Sequence, residues 1–252
     1  MSRKQLDKFL RLLRASPSGA VFNPWWDVDE ENDFSRNAPQ IRRKHLTVYV
    51  RERLGKTRLA IVGEALGYRG GHFSGIPMTS ERILFGKQPD IVAGLYESRS
   101  VDPSMRAGRR GPPLQILSGI TPQRTSKPEI HPDGFSEPTA TIVWGALLKM
   151  GVVPREFVLL NAFPWHPFDP RLGMLSNRMP NKAEQLSGRP VLKAFFQLFP
   201  CEQIVALGKI ATWQLEAIGL KAQCVRHPAS GGARRFREQI KEICNTPGFA
   251  KD

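Results

Sequence analysis

Four short apolar runs set far apart along the chain constrain its fold most: RLAIVGE (58–64), FVLLNAF (157–163), EQIVALG (202–208) and the weaker KAQCVR (221–226). Each is the length of a strand, and continuous apolar character marks strands buried on both faces. Between or after them apolar residues recur at helical spacing: Ile142, Val143, Ala146, Leu147 and Met150; Val191, Leu192, Phe195, Phe196 and Phe199; Ile210, Trp213 and Ala217; Phe236, Ile240 and Ile243. Strand alternating with helix is satisfied most simply by a parallel sheet covered on both faces. The expectation is a three-layer α/β/α fold with a central four-stranded parallel sheet. SEP (136–138) reads as a helix start with proline at an early position, and Gly151 as the end of the same helix.

The 252 residues allow one large α/β domain or two small ones, and a single domain over 1–252 is the simpler reading. Leu6, Phe9, Leu10 and Leu13 form one apolar helix face that must dock on something. The acidic, aromatic connector FNPWWDVDEENDFSRN and a basic helix over about 39–54 follow, so residues 1–54 read as a helical extension packed on the domain. Residues 100–137 are dense in turn formers and basic residues and read as a long surface excursion.

Charge narrows the partners. Thirty-seven Lys and Arg against 23 Asp and Glu give a formal net charge of +14, so the surface should attract polyanions, nucleic acid first and a membrane surface second. No apolar run approaches the roughly 20 residues of a spanning helix, and MSRKQLDKFLRLLR reads as a charged amphipathic helix without a secretory core. A soluble, cytoplasmic, DNA-associated protein is expected. Cys201, Cys224 and Cys244 lie too far apart to begin a zinc or iron–sulfur site and read as inert thiols.

Ligands of open parallel sheets bind where loops gather at the carboxyl ends of the strands. Three such loops are GEALGYRGG, NAFPWHP and RHPASGGARR, which would bring Glu64, Asn161 and His227 to one rim. The first continues through HFSGIPMTSERI, a glycine-dense stretch suited to close approach of main chain to a ligand.

In this order, the three loops resemble the uracil-DNA glycosylase superfamily over roughly residues 55–245, most closely bacterial uracil-glycosylase-like proteins with a GEA-type first motif. The resemblance implies a monomeric hydrolase that flips uracil out of single- or double-stranded DNA and cleaves its N-glycosidic bond. It would leave an abasic site, release free uracil, and use no metal or organic cofactor. Gly63, Ala65, Leu66, Gly67, Tyr68 and Met78 would then line the base together with Asn161 and His227. Three positions depart from the family pattern. Ala65 stands where an acidic residue or Asn positions water, with the carboxylate next door on Glu64; Met78 replaces a stacking Phe; and Tyr68 is one place later than the Tyr that walls off the thymine methyl. Members with an iron–sulfur cluster use four cysteines, one more than this chain has.

Chemistry gives each residue a task. An amide at Asn161 offers a donor to the 4-keto oxygen of uracil and an acceptor to its ring N–H, the opposite of what cytosine needs. A neutral His227 would donate to the 2-keto oxygen as negative charge develops there, aided by main-chain N–H groups of the glycine loop. Glu64 would orient water and offset positive charge on the sugar. His166 is a further polar group close by in sequence, with a structural role as the simpler reading. Phosphate contacts are expected from Arg69 and His72 beside the glycines, and from Arg226, Ser230, Gly231, Arg234, Arg235 and Arg237 at the start of the last helix. MRAGRR (105–110) is a second basic stretch. Ser230 to Ala233 offer no bulky apolar wedge, which leaves Arg234 or Arg235 to fill the gap behind a flipped base. Three other readings compete: a nucleic-acid-binding module with weakened catalysis, motivated by Ala65; a relative that traps the exposed sugar covalently; and a metal-dependent phosphoesterase built on Glu64, His166 and His227.

Overall fold

The computed structural model describes residues 3–89, 91 and 116–246; the basic stretch 105–110 lies outside them. The chain runs α1 (Arg3–Arg14), β1 (Val21–Phe22), α2 (Ala38–Arg53), β2 (Leu59–Ala65), α3 (Gly71–Ser74) and α4 (Glu81–Leu84). It continues through α5 (Pro138–Lys149), β3 (Phe157–Phe163), β4 (His166–Pro167), α6 (Lys182–Leu198), β5 (Gln203–Leu207), α7 (Lys209–Glu216), β6 (Gln223–Val225) and α8 (Ala233–Cys244).

The main sheet has the order β3-β2-β5-β6 with every pair parallel. Every residue of β3 is buried, as are Leu59 to Val62 of β2, which is why these runs carry no polar alternation. From β2 the chain steps one way to β3, then passes back over β2 to β5 and on to β6. Right-handed crossovers in opposite directions put α5 on one face and α6 and α7 on the other. Accordingly α6 packs on β3 and on α1, while α5 meets α8. This is the α/β/α arrangement with a four-stranded parallel sheet that the sequence leads one to expect. The reversal opens a crevice beyond the carboxyl ends of β2 and β5.

Residues 3–54 are built into the body through buried polar bonds. β1 pairs antiparallel with β4, Phe22 opposite His166. Trp25 donates its indole N–H to Gly75 O (3.0 Å), and Trp165 donates to Leu13 O (2.8 Å). Tyr49 Oη accepts from Leu159 N (2.9 Å), tying α2 to the middle of β3. Arg42 is buried and neutralised by Asp33, at 2.6 and 3.0 Å from its two terminal nitrogens.

Two expectations need correction. Residues 116–137, the described part of the expected surface excursion over 100–137, are anchored in the body at three points: Thr125, Ser126 and Phe135 are buried around the Glu81 carboxylate. That carboxylate accepts from Thr125 N (3.0 Å), Ser126 N (3.1 Å), Phe135 N (3.4 Å) and the Ser126 hydroxyl. A buried carboxylate requires such donors, and the turn formers of this segment supply them.

His72 is the second. It was expected on the DNA-facing surface, yet no part of it is exposed. Its ring stacks on Phe22 (4.1 Å between centroids) and sits in a chain of polar groups running from Asp29 to Ser176. His166 Nε2 lies 2.7 Å from Ser176 O, His166 Nδ1 2.9 Å from His72 Nδ1, and His72 Nε2 3.1 Å from Asp29 Oδ2. Burial pushes the His166 pKa down to about 3, so that ring is neutral. Its one N–H goes to the Ser176 carbonyl, which leaves Nδ1 an acceptor and makes His72 Nδ1 the donor. His72 Nε2 and the Asp29 carboxylate must then hold one proton between them. The chain ties the N-terminal segment, the glycine-rich loop and the segment after β3 into one unit.

His72→Ala is therefore expected to cost about 1–3 kcal/mol in denaturant unfolding, because His166 Nδ1 is left buried without its donor and Asp29 keeps only its bonds to Glu31 and Asn32. A loss below about 1 kcal/mol, the scale of an ordinary surface change, would contradict this role.

Candidate active site

The crevice holds a cavity of about 320 Å³. Residues 63–67, at the end of β2, form one wall; Asn161 of β3, Met78, His227 after β6, Glu137 and Thr139 at the start of α5, and Asn177 to Met179 before α6 complete it. Glu64, Asn161 and His227 thus share one cavity with Gly63, Ala65, Leu66, Gly67 and Met78.

Close approach explains the leading glycine. Gly63 is the register partner of Asn161, and a Cβ built on it would stand 2.7 Å from Asn161 Nδ2 and 3.2 Å from Met78 Sδ. Asn161 is buried; its Nδ2 donates one hydrogen to Ala65 O (2.9 Å), and its Oδ1 has no partner. One N–H and one carbonyl oxygen of the same amide therefore remain for a ligand. Met78 sits at φ 46°, a strained conformation for a residue with a side chain, and Trp144 holds it by donating to its carbonyl (3.1 Å).

His227 Nδ1 accepts from Ala229 N (3.1 Å), which fixes the ring proton on Nε2. Burial, and then the positive charge of Arg226, hold its pKa below the usual histidine value, so the ring is a neutral Nε2–H donor at pH 7. Glu64 is partly buried, and burial alone pushes its carboxyl above the usual value.

The remaining expected residues lie outside the cavity wall. Tyr68 sets its ring edge-on to Phe135 (6.2 Å), donates its backbone N–H to Asn177 Oδ1 (3.1 Å) and accepts from Arg69 Nε (2.8 Å). Arg69 is exposed. Beyond His227, Ser230 (φ 52°) and Gly231 (φ 74°) form a left-handed turn that leads into α8. Arg226, Ser230, Gly231, Arg234, Arg235 and Arg237 are exposed around it. Arg226 lies 3.3 Å from Ser230 O, and Arg234 is paired with Glu238 (2.9 Å).

Several cavity residues carried no signal in the sequence. Asn177, Arg178 and Met179 lie in an irregular segment that helical or strand periodicity cannot place. Arg178 pins it with two 2.7 Å bonds to Glu184 and further bonds to the carbonyls of Phe168 (3.0 Å) and Ala20 (2.9 Å), leaving Met179 63% exposed at the cavity edge. Glu137 reads only as a helix start, yet burial pushes its carboxyl up to about 7.

Among the described residues no three His, Cys, Asp or Glu side chains cluster as metal ligands. The set Glu64, His166 and His227 is divided, since both His166 nitrogens are occupied in the buried chain. Among the described residues no helix is long and apolar enough to cross a membrane.

No protein-family model matches the chain, and no curated protein matches it. Of solved structures, 22 chains match. One is the crystal structure of wild-type SMUG2 from Pedobacter heparinus, with a TM-score of 0.53, 12% identity, and coverage of 96% of this chain and 99% of that one. At that identity the likeness shows a shared fold.

Gly63→Ala should destabilise the protein by about 1–3 kcal/mol in chemical denaturation, the usual range for overpacking, because the new methyl displaces Asn161 and Met78. Unchanged stability would mean that the two strand ends do not approach this closely.

Proposed function

We propose that the protein is a DNA glycosylase that takes uracil out of the base stack and hydrolyses its N-glycosidic bond, releasing free uracil and leaving an abasic site. The observation that carries this reading is the Asn161 amide, which lines the cavity with an oxygen that has no partner and an Nδ2 with a hydrogen to spare, while His227, an Nε2–H donor, lines the same cavity. The fold shared with SMUG2, a uracil-DNA glycosylase-family enzyme, and the sequence resemblance to that superfamily support it. The cavity lies at the lower end of the roughly 300–1,000 Å³ of small-molecule sites, the size for a single base.

A base within a duplex is out of reach, so the nucleotide must rotate into the cavity. There Asn161 reads the 4-keto oxygen and ring N–H of uracil. As the bond to the sugar breaks, negative charge gathers on the base, and His227 Nε2–H donates to the 2-keto oxygen. The neutral ring suits this task because it offers a fixed donor without first losing a proton. Ionised Glu64 offsets the positive charge on the sugar and orients the water that completes hydrolysis. It does so from the position beside Ala65, where there is no polar group. DNA is held as a polyanion, with Arg69, Arg226, Ser230, Gly231, Arg234, Arg235 and Arg237 as the surface contacts, and the enzyme acts as a cytoplasmic monomer. Ala65 also favours one second reading, a uracil-DNA-binding protein with weak catalysis.

Incubation with single- and double-stranded oligonucleotides carrying one uracil, followed by alkali, should break the strand at that position. Binding without breakage favours the second reading, and neither binding nor breakage contradicts both. His227→Ala is expected to slow release about 10²–10³-fold, as for loss of one oxyanion donor. Asn161→Asp should weaken release of uracil relative to cytosine. Because burial raises the Glu64 pKa, wild-type activity should rise with pH as this carboxyl ionises above its ordinary range. Glu64→Gln should abolish that rise; a variant with the wild-type profile would remove Glu64 from the mechanism.

A further inference from the structure

Glu137 occupies the position just before α5, where a side chain commonly caps the helix, but its carboxyl makes no capping bond. It is folded beneath the glycine-rich loop instead. A Cβ built on Gly70 would stand 2.0 Å from Glu137 Oε2, so the loop lies this close over the carboxyl because residue 70 is glycine, while one on Gly67 would meet Oε1 at an ordinary contact of 3.6 Å. Oε2 is buried without a hydrogen-bond partner, and Glu137 lines the same cavity as Asn161 and His227.

An ionised carboxylate with a buried oxygen and no donor carries a penalty, so the surroundings favour the neutral form of this group. The groups around it supply no compensating cation. From the loop come Tyr68, whose hydroxyl is engaged by Arg69, and Arg69 itself, which is exposed. From the segment before α6 come Asn177, whose Oδ1 is taken by Tyr68 N, and Arg178, which is committed to Glu184. Glu64 and the neutral His227 share the cavity, and Thr139 follows on its own helix. Burial accordingly pushes the Glu137 carboxyl up to about 7.

A neutral carboxyl is a hydrogen-bond donor, and on ionisation it becomes a negatively charged acceptor. The two keto oxygens of a bound uracil are already matched by Asn161 and His227, so the acceptors left on the flipped nucleotide are its sugar and phosphate oxygens. We propose that Glu137 is a ligand-contacting residue of this cavity that, as the neutral acid, donates a hydrogen bond to a sugar or phosphate oxygen of the flipped nucleotide. The assignment rests on the glycosylase reading. On ionisation the donor is lost and a negative charge faces an electron-rich or anionic oxygen.

The test is binding of an oligonucleotide carrying one uncleavable 2′-fluoro-2′-deoxyuridine, measured by fluorescence anisotropy between pH 6 and pH 9 against the matching thymidine oligonucleotide. For the wild-type protein, uracil-specific affinity should hold at low pH and fall about tenfold per unit above the Glu137 ionisation. Glu137→Gln keeps a donor and cannot ionise, so its affinity should stay level across the range. Glu137→Ala should be level and about 5–10-fold weaker at pH 6, the loss of one hydrogen bond. An alkaline loss that persists in Glu137→Gln, or wild-type affinity independent of pH, overturns the proposal. Base release from ordinary uracil DNA, scored in parallel, separates the two claims. No release with the pH-dependent binding intact removes the glycosylase reading and leaves the Glu137 contact standing. Release together with an alkaline loss of binding that persists in Glu137→Gln removes the contact alone.

Discussion

The structure depends on the parallel pairing of β2 between β3 and β5, with the chain reversing its direction of travel around β2. Strands buried on both faces cannot slip register without exposing their side chains, so the ends of β2 and β3 are fixed against each other at Gly63 and Asn161. The reversal leaves an open crevice beside them, beyond the carboxyl ends of β2 and β5, and right-handed crossovers return each later loop to its edge. Asn161 and His227 lie far apart along the chain from Glu64, and this topology alone makes them neighbours of one cavity.

A second level of order is polar. The chain from Asp29 through His72 and His166 to the Ser176 carbonyl, the Arg42–Asp33 pair, and the Glu81 carboxylate with its four donors are all buried. The histidine chain binds the N-terminal segment and the loop before α6 to the body, the Glu81 carboxylate binds the segment 116–137, and the Arg42–Asp33 pair ties the connector before α2 to α2 itself. The loops around the cavity are therefore held from behind. That rigidity lets Asn161 Oδ1 and Glu137 Oε2 remain buried without partners in a folded protein.

The sheet was legible because its signal is local. The runs at 58–64, 157–163 and 202–208 are apolar from end to end, and burial on both faces is the condition that produces such runs. The rim was legible through a rule about strand ends, and it brought Glu64, Asn161 and His227 together without any side-chain geometry. The sequence could not show which polar residues find each other across long separations. His72 beside its glycines looks like a phosphate ligand; only the approach of Asp29, 43 positions earlier, and of His166, 94 positions later, makes it a buried link. The turn formers of 116–137 looked like a solvated excursion because their partner, Glu81, lies in another segment. Glu137 was hidden for a different reason. A glutamate at a helix start is ordinary, and its folding beneath Gly70 follows from the shape of a loop that composition does not specify.

The most direct test is a crystal structure of the protein with free uracil at high concentration. The account predicts the ring in the cavity at the ends of β2 and β3, with Asn161 Oδ1 accepting from the ring N–H, Asn161 Nδ2 donating to the 4-keto oxygen, and His227 Nε2 donating to the 2-keto oxygen. Uracil bound elsewhere, or in the cavity with Asn161 and His227 making none of these bonds, would contradict it.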